Sequence, residues 1–463
     1  MFGRRVNRWS KLAVFAFVMA STLPAFGSVV AIIDSGTDML HQDIFPKRWI
    51  NPTDNSNNQR DEDRNGYQDD VNGWNFAEGN NKLVDYKYLP YLTDDVRKFF
   101  EIQGKSLQGT ATDEEIAWMR NIMNDEEFVK KLSAYGNFMH GTHVSGIAAK
   151  DAEKTKVLGV KLIPTEVQLP FPGSEKLQAL AEGSGDLVMR LIKAGLGQLA
   201  KQQMKLLEEI AVYVNGHKAD VANGSFGTGY EQAKMIVTIL AKGLLQRDPT
   251  EEEAKELTDH FLGALIREGA HMVQAAPETL FVFAAGNDGS DNDKYPTSPT
   301  NIKSSNVISV AATLGYGKLA SFSNYGAKMV DVAAPGVSVK SAVPGNEYLS
   351  VSGTSQAAPY VSNIAVKIKD ANPSLTVGEI KKIIMGTVDV KEYLKGKVLT
   401  SGLVNSARAV RAAELSKTAA LARALDQARA EIQDQVSLEE DEKGLVMEQG
   451  PSFVLPLPSA FKF

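Results

Sequence analysis

The chain has 463 residues, of which 23% are charged and 43% hydrophobic, with a net charge of −6 and no cysteine. That length holds one large α/β domain with insertions or two domains, and the composition excludes the disordered and fibrous classes. The acidic balance argues against nucleic acid as a partner, and disulfides cannot stabilise the fold.

The N-terminus carries Arg4, Arg5, Arg8 and Lys11, then an apolar run from Leu12 to Leu23, then small residues around Ala25–Ser28. This pattern is that of an export signal, assigned to residues 1–27 with cleavage near Gly27–Ser28. A membrane anchor is the competing reading, because apolar residues continue through Val29–Ile33. Freeing Val29–Ile33 as a strand that presents Asp34 favours removal, so no stable membrane span is expected. The sequence leaves open whether the product stays in a periplasm, at a cell surface or outside the cell.

Next comes an acidic string, Asp61 to Asp70. Asp61, Asp63, Asn65 and Asp69 place oxygen ligands at alternate positions, and Gly66 follows the third. This resembles the start of an EF-hand-type loop and makes these four residues a candidate calcium set, although the twelfth position is Asn72 and not Glu. A solvated acidic loop is the plainer alternative.

Short apolar runs at Val29–Ile33, Val157–Leu162, Asp220–Asn223, Leu280–Ala284, Val307–Val310 and Val330–Ala333 are bounded by Gly, Asn and Pro, as buried strands are. Their alternation with amphipathic segments predicts an α/β fold with a mostly parallel sheet flanked by helices. Asp34, the Ser225 segment and Asn287 each follow such a strand, where sites gather in this architecture. Helical patterns fill 83–137, 164–213 and 246–277. Thr112 with Glu115 and Thr250 with Glu253 read as capping boxes within the first and third. These segments either wall the cleft or add packing on the outer surface. Ala412–Val436 predicts one long helix, followed by an acidic run and an apolar end from Phe453 to Phe463. Residues 412–463 are thus a C-terminal helix and tail, and the tail beyond the helix is a solvated appendage or a docking or autoinhibitory peptide.

Three segments carry the chemistry. Val30–Gly36 ends an apolar run on Asp34, His140–Gly146 places His140 in what reads as a Gly-rich turn, and Gly353–Pro359 sets Ser355 before a helix start. Carboxylate, imidazole and hydroxyl are the orienter, base and nucleophile of acyl transfer. Singly, each has a plain reading as strand end, turn residue or helix cap.

Together with Asn223–Gly227, Ala284–Gly289, Asn306–Ala312 and Val332–Gly336, these blocks resemble the subtilisin-like serine peptidases, in the order Asp, His, Ser, over most of Val29–Val410. The resemblance implies a domain over 28–411 with three helical insertions. It makes Asp34, His140 and Ser355 the triad and Asn287 the oxyanion donor, with the Ser355 backbone N–H as the second donor. It also implies that Ser225, Phe226 and Gly227 bind the substrate backbone opposite a wall formed by Ala284, Ala285 and Gly286. His143 is expected behind His140, and His41 is expected to brace its loop. Phe226 replaces a smaller aliphatic residue, Gln356 a Met and Tyr360 a His, which puts pocket shape and selectivity in question. With cleavage near Ser28 no pro-domain precedes the first strand, so the insertions or the tail are expected to limit premature activity.

The expected function is an exported serine endopeptidase acting on protein or peptide substrates, with no cofactor required for the chemistry and calcium as a structural ion. Two alternatives are a peptide ligase or cyclase using the same acyl-enzyme, and a non-catalytic peptide-binding protein. Sequence does not fix the oligomeric state.

Overall fold

Strand β1 (Val29–Asp34) is buried throughout: Val29, Ala31 and Ile33 join one apolar cluster, while Val30 and Ile32 join another. A strand apolar on both faces must be covered on both faces, which is the condition of a parallel sheet between helical layers. The computed structural model describes residues 27–166 and 185–435, with side chains from 188 in the second stretch. The export-signal segment, the stretch 167–184 and the apolar C-terminal tail lie outside the described residues.

Among the described residues ten strands form the sheet. β1 has β3 (Lys156–Lys161) on one side, with β2 (Gly73–Asn75) beyond it at the edge. On its other side lie β4 (Val221–Gly224), β5 (Leu280–Ala284), β6 (Val307–Leu314) and β8 (Val332–Pro335). Beyond these lie two short strands, β12 (Gly402–Leu403) and then β11 (Asp389–Val390), and β7 (Lys318–Leu319) pairs antiparallel with β6. The pairings from β2 to β12 are parallel. The chain runs from β1 to β3 on one side and then crosses to β4 on the other. β1 is therefore a switch point, and the crevice beyond its carboxyl end is where such sheets bind ligands. The six runs read as strands all fall on sheet strands, with shifts of a few residues at their ends.

On one face lie α4 (Gly185–Gly216), α5 (Tyr230–Leu245) and α6 (Glu251–Ala275), packed on Phe281, Phe283 and Leu158. The described parts of the second and third helical segments thus form a layer of the main core. The Thr250 capping box is made, with Thr250 Oγ1 accepting from Glu253 N at 3.2 Å. On the other face lie the end of α3 (Glu126–Ala148), α7 (Thr354–Ala371), α8 (Val377–Gly386) and α9 (Ser406–Leu415).

The first helical segment builds a separate apolar cluster. Phe99, Phe100 and Ile102 of α1 (Asp94–Gln108), Met119 of α2 (Asp113–Ile122) and the first half of α3 pack on Leu349 and Val351 of the hairpin β9–β10 (Val339–Val343, Glu347–Val351). The Thr112–Glu115 capping box opens α2.

Two expectations require correction. His140 is not in a turn: α3 runs unbroken through Gly136, Gly141 and Gly146, because tertiary contacts outweigh the cost of about 1 kcal/mol per helical glycine. The expected single helix over 412–436 is two helices, α9 and α10 (Leu421–Glu431), which pack together around Ala412, Ala413, Ala424 and Ala428. Ser416 ends α9 by turning its hydroxyl to the Ala413 carbonyl at 2.7 Å. Arg408 reaches Ile432 O, Asp434 and buried Asp389, tying the far end of α10 back to the domain.

Candidate active site

Asp34 is the last residue of β1 and is fully buried. The loop after it is fastened to α3. Gly141 N donates to Ser35 Oγ at 3.1 Å, Asp38 N donates to Thr142 Oγ1 at 2.9 Å, and Thr37 Oγ1 and Ser145 Oγ are 2.8 Å apart. A Cβ at position 141 would collide with the Gly36 carbonyl, so this close approach requires glycine. It brings His140 Nδ1 to 2.7 Å from Asp34 Oδ1, the oxygen that also accepts Ser35 N at 2.7 Å. A carboxylate can only accept, so Nδ1 carries the proton and Nε2 is left as the acceptor. Asp34 Oδ2 is buried without a hydrogen-bond partner among the described residues.

Ser355 is the second residue of α7 and is buried. Its Oγ donates to Ser225 O at 3.3 Å, and Ser225 Oγ donates to Ser355 O at 3.0 Å. Asn223 Nδ2 donates to Ser225 Oγ and Ser362 Oγ to Asn223 Oδ1, both at 2.9 Å, locking the segment after β4 to α7. Helices α3 and α7 pack together. One turn along from His140, His143 Nε2 donates to Leu349 O at 3.1 Å and Nδ1 accepts from Gln356 Nε2 at 3.4 Å. Burial lowers the His143 pKa to about 4, so this imidazole stays neutral. His41 is also buried, with Nε2 3.2 Å from Glu347 O. Tyr360 lies half-buried further along α7, and burial pushes its phenol up to about 12.

Asn287 Oδ1 accepts from Thr354 N at 2.9 Å and from Thr354 Oγ1 at 2.8 Å, which turns Nδ2 the other way. A carbon at the Cβ position of Gly353 would lie 3.4 Å from Asn287 Nδ2 and 3.6 Å from Ser355 N. Two N–H groups therefore border one small volume beside Ser355. The Gln356 Oε1 atom, 2.8 Å from the same point, forms its rim.

Ser225, Phe226, Gly227, Ala284, Ala285 and Gly286 are all buried and leave the ends of the adjacent strands β4 and β5. The Phe226 ring is turned inward, packed on Phe283 and the helices of that face, and so does not fill the cleft. Gly286 N donates to Thr354 Oγ1 at 3.2 Å.

The acidic loop departs from the expected set. Asp61 and Asp63 both accept from Asn65 N at 3.1 Å, and Asn65 Nδ2 donates to Asp63 Oδ2 at 3.1 Å. Asp69 is turned away and takes the Asn58 and Gln59 amides. Asp70 stands in its place: its Oδ2 is 3.1 Å from Asn65 Nδ2, 2.8 Å from Tyr213 OH and 3.2 Å from His217 Nε2. Burial raises the Asp70 pKa, but the hydrogen bonds from His217, Tyr213 and Asn51 outweigh it and hold the carboxyl below its usual range. Asp63, Asp70 and His217 could share one metal ion, and an imidazole in that set suits calcium less well than oxygen would.

Sequence reasoning missed Thr354, which orients Asn287, although it lies inside the quoted GTS block. It also missed His217, which lies in the turn just after α4 and offers no local signal of its proximity to Asp63 and Asp70.

Among the described residues no helix is long and apolar enough to cross a membrane. The profile described as the subtilase family matches residues 26–408. A thermostable alkaline protease of Halalkalibacterium halodurans is 41% identical over 131 residues, which cover 28% of this chain and 34% of that protein. Subtilisin BL of Lederbergia lenta is 38% identical over 132 residues, covering 28% of this chain and 46% of that protein. The chain thus matches less than half the length of these relatives. Among solved structures, a lanthipeptide protease overlays with a TM-score of 0.46 at 17% identity, over 83% of this chain and 89% of that one. Because the profile match runs through most of the chain, from the start of β1 to α9, the protein belongs to the subtilase family.

Proposed function

We propose that this protein is an exported serine endopeptidase that hydrolyses peptide bonds through an acyl-enzyme on Ser355. The observation that carries the reading is the 2.7 Å Asp34–His140 contact at the sheet's switch point, with His140 on a helix packed against α7, whose second residue is Ser355. Asp34 holds Nδ1–H and stabilises the imidazolium, and His140 Nε2 accepts the serine proton. For that transfer the Ser355 hydroxyl turns from Ser225 O towards His140, as substrate-free serines commonly require.

Ser355 Oγ attacks the scissile carbonyl, and the developing oxyanion is held by Asn287 Nδ2 and the Ser355 N–H. His140 then protonates the leaving amine, the C–N bond breaks, and a water deprotonated by His140 hydrolyses the ester. The segment Ser225–Gly227 and the wall Ala284–Gly286 are assigned to the substrate backbone, which would bind as an added strand. No cofactor enters the chemistry.

A structural cation at the acidic loop is a separate proposal. Asp61 and Asp63 converge on one amide, Asp70 lies alongside, and none of the three pairs with Lys or Arg among the described residues. Calcium would bind Asp61, Asp63 and Asn65, with Asp70 in the place expected for Asp69.

The function is tested by incubating the full chain and its Ser355→Ala variant with a mixed peptide library and analysing products by mass spectrometry. Hydrolysed peptides from the parent alone support the reading. Products joined end to end indicate a ligase, and identical profiles from both proteins contradict catalysis at Ser355.

A further inference from the structure

The turn Phe45–Lys47 and the loop 149–156 meet at the end of the sheet where β1 and β3 begin. Lys47 Nζ donates to Ala149 O at 2.7 Å, Lys156 Nζ to Pro46 O at 3.1 Å and Trp49 N to Val157 O at 2.8 Å. A cleft of about 530 Å³ lies between this turn, the end of α3 and the β9–β10 hairpin, with Lys47, Lys150 and Lys340 among its walls. Arg48, Ile50 and Lys156 line the neighbouring cavity, of about 880 Å³. In the parallel β1–β3 register Lys156 pairs with Val29 and Lys161 with Asp34, so the patch begins about 17 Å along the strand from Asp34, at the edge of the sheet opposite the active-site crevice.

The protein is acidic, with a net charge of −6, yet Lys47, Arg48, Lys150, Lys154, Lys156 and Lys340 collect here and form no ion pair among the described residues. Elsewhere on the surface Lys105, Lys193, Lys234, Lys242 and Lys255 each hold a carboxylate. Asp43, Asp151 and Glu153 lie among the patch cations, and Asp43 accepts from Tyr348 OH at 2.8 Å. Burial lowers the pKa of Lys367 on α7; Asp151 opposes this, while Lys47 and Lys150 add to it. Lys47 serves the end of α3 through Ala149 O, a role that accounts for one cation only. Lys150, Lys154 and Lys340 are exposed and donate no side-chain hydrogen bond among the described residues.

Two apolar side chains accompany them. Phe45 is 45% exposed, with the Arg48 guanidinium 3.6 Å from its ring centroid, and Ile50 is 47% exposed. Cations around exposed aromatic and aliphatic groups suit an anionic bilayer, where the charges reach headgroups and the apolar groups enter the acyl boundary. Position favours the same partner. A Cβ on Gly27 would lie 1.8 Å from Lys154 O, and Lys156 N donates to Ser28 O at 2.8 Å, so the chain enters the domain at this patch. The apolar run Leu12–Leu23, outside the described residues, is joined to Gly27 by residues 24–26, at most about 14 Å of chain. A bilayer that takes up this run meets the domain at this edge.

We infer that the edge formed by the Phe45–Ile50 segment, the loop 149–156 and Lys340 docks on a bilayer with anionic headgroups. The cleft between Lys47, Lys150 and Lys340 seats a headgroup phosphate, and Phe45 and Ile50 enter the boundary. This goes beyond the peptidase reading and does not rest on it. The crevice at the carboxyl end of β1 then faces away from the bilayer, open to substrate. An acidic polypeptide would meet the same cations, but no tether delivers it to this edge.

The test uses the full Ser355→Ala chain, purified after export from a bacterial host, and sedimentation with vesicles of phosphatidylcholine alone or mixed with phosphatidylglycerol. The mixed vesicles should bind at least about tenfold more tightly, and about 0.5 M salt should release the protein. Lys150→Glu, Lys154→Glu and Lys340→Glu together should reduce binding to the phosphatidylcholine level with Tm unchanged. Lys318→Glu, Lys328→Glu and Lys395→Glu together change the net charge equally and should leave binding within about twofold of the parent. Phe45→Ser should weaken it about threefold or more. Absence of binding to the mixed vesicles, binding indifferent to lipid charge and salt, or equal losses in the two triple variants overturns the inference. Binding to polyglutamate in preference to the mixed vesicles overturns it in favour of an acidic polypeptide partner. Fluorophosphonate labelling of the parent at Ser355 reports on the peptidase reading separately.

Discussion

One oxygen of Asp34 holds both the His140 imidazole and the Ser35 N–H, each at 2.7 Å, so the orientation of the ring and the path of the chain after β1 are set by the same atom. Asp34→Asn should therefore fold but hold the wrong tautomer, lowering kcat by about 10⁴-fold. Steady-state kinetics with circular dichroism checks this, and a loss under tenfold would remove Asp34 from the triad.

Asn287 and Thr354 form the second such relationship, since Thr354 supplies both donors that fix the amide. Asn287→Ala should lower kcat by about 10²–10³-fold with KM nearly unchanged, because the bond is made to the oxyanion and not to the ground-state carbonyl. Thr354→Val keeps the backbone donor and should cost about tenfold. Gly353→Ala places a methyl between the two N–H groups and against Gln356 Oε1, and should match the loss of Asn287. A KM effect without a kcat effect in these variants would contradict an oxyanion role.

His143 gives a pH signature of stability. Its folded pKa of about 4 lies below the ordinary value of 6.5, so between these pH values the unfolded chain binds the proton and the native state does not. The contribution is complete above pH 6.5 and is lost as pH falls towards 4, by up to about 3 kcal/mol. Denaturant unfolding of Ser355→Ala, used to prevent self-digestion, should show stability falling through this window. A His143→Gln background should show a flatter dependence, and equal slopes would contradict the assignment.

The acidic loop predicts a response to calcium. In the Ser355→Ala protein, millimolar calcium should raise Tm and a chelator should lower it. Asp63→Asn should remove the difference, because Asp63 is the carboxylate shared by the Asn65 turn and the Asp70 cluster. A Tm indifferent to calcium in the parent would leave the loop as a hydrogen-bonded network alone.

How much was legible follows from where the information lies. The strands were legible because residues such as Val30–Ile33 carry an unbroken apolar signal, and the two capping boxes because Thr and Glu three apart act locally. The α3 helix through His140 was not, because Gly141 reads as a breaker until the Gly36 backbone is seen against it. The break between α9 and α10 was hidden between two helix-forming stretches, since it is fixed by the Ser416 hydroxyl turning back on α9 and by Arg408 holding Ile432 and Asp434 far along the sequence. Within the site, the blocks identified Asp34, His140, Asn287 and Ser355 as residue types in order. The bonds that orient them, Thr354 to Asn287 and Ser362 through Asn223 to Ser225, join segments far apart in sequence. Asp70 displaced Asp69 from the acidic cluster for the same reason: its partners Tyr213 and His217 lie on the last turn of α4 and just beyond it.

The most direct measurement is covalent. The full chain is incubated with a fluorophosphonate, digested, and the adduct mapped by peptide mass spectrometry, alongside His140→Ala and Asn287→Ala. The account predicts one adduct, on Ser355, abolished in His140→Ala and slowed in Asn287→Ala. No adduct, or one on another residue and indifferent to His140, would contradict it.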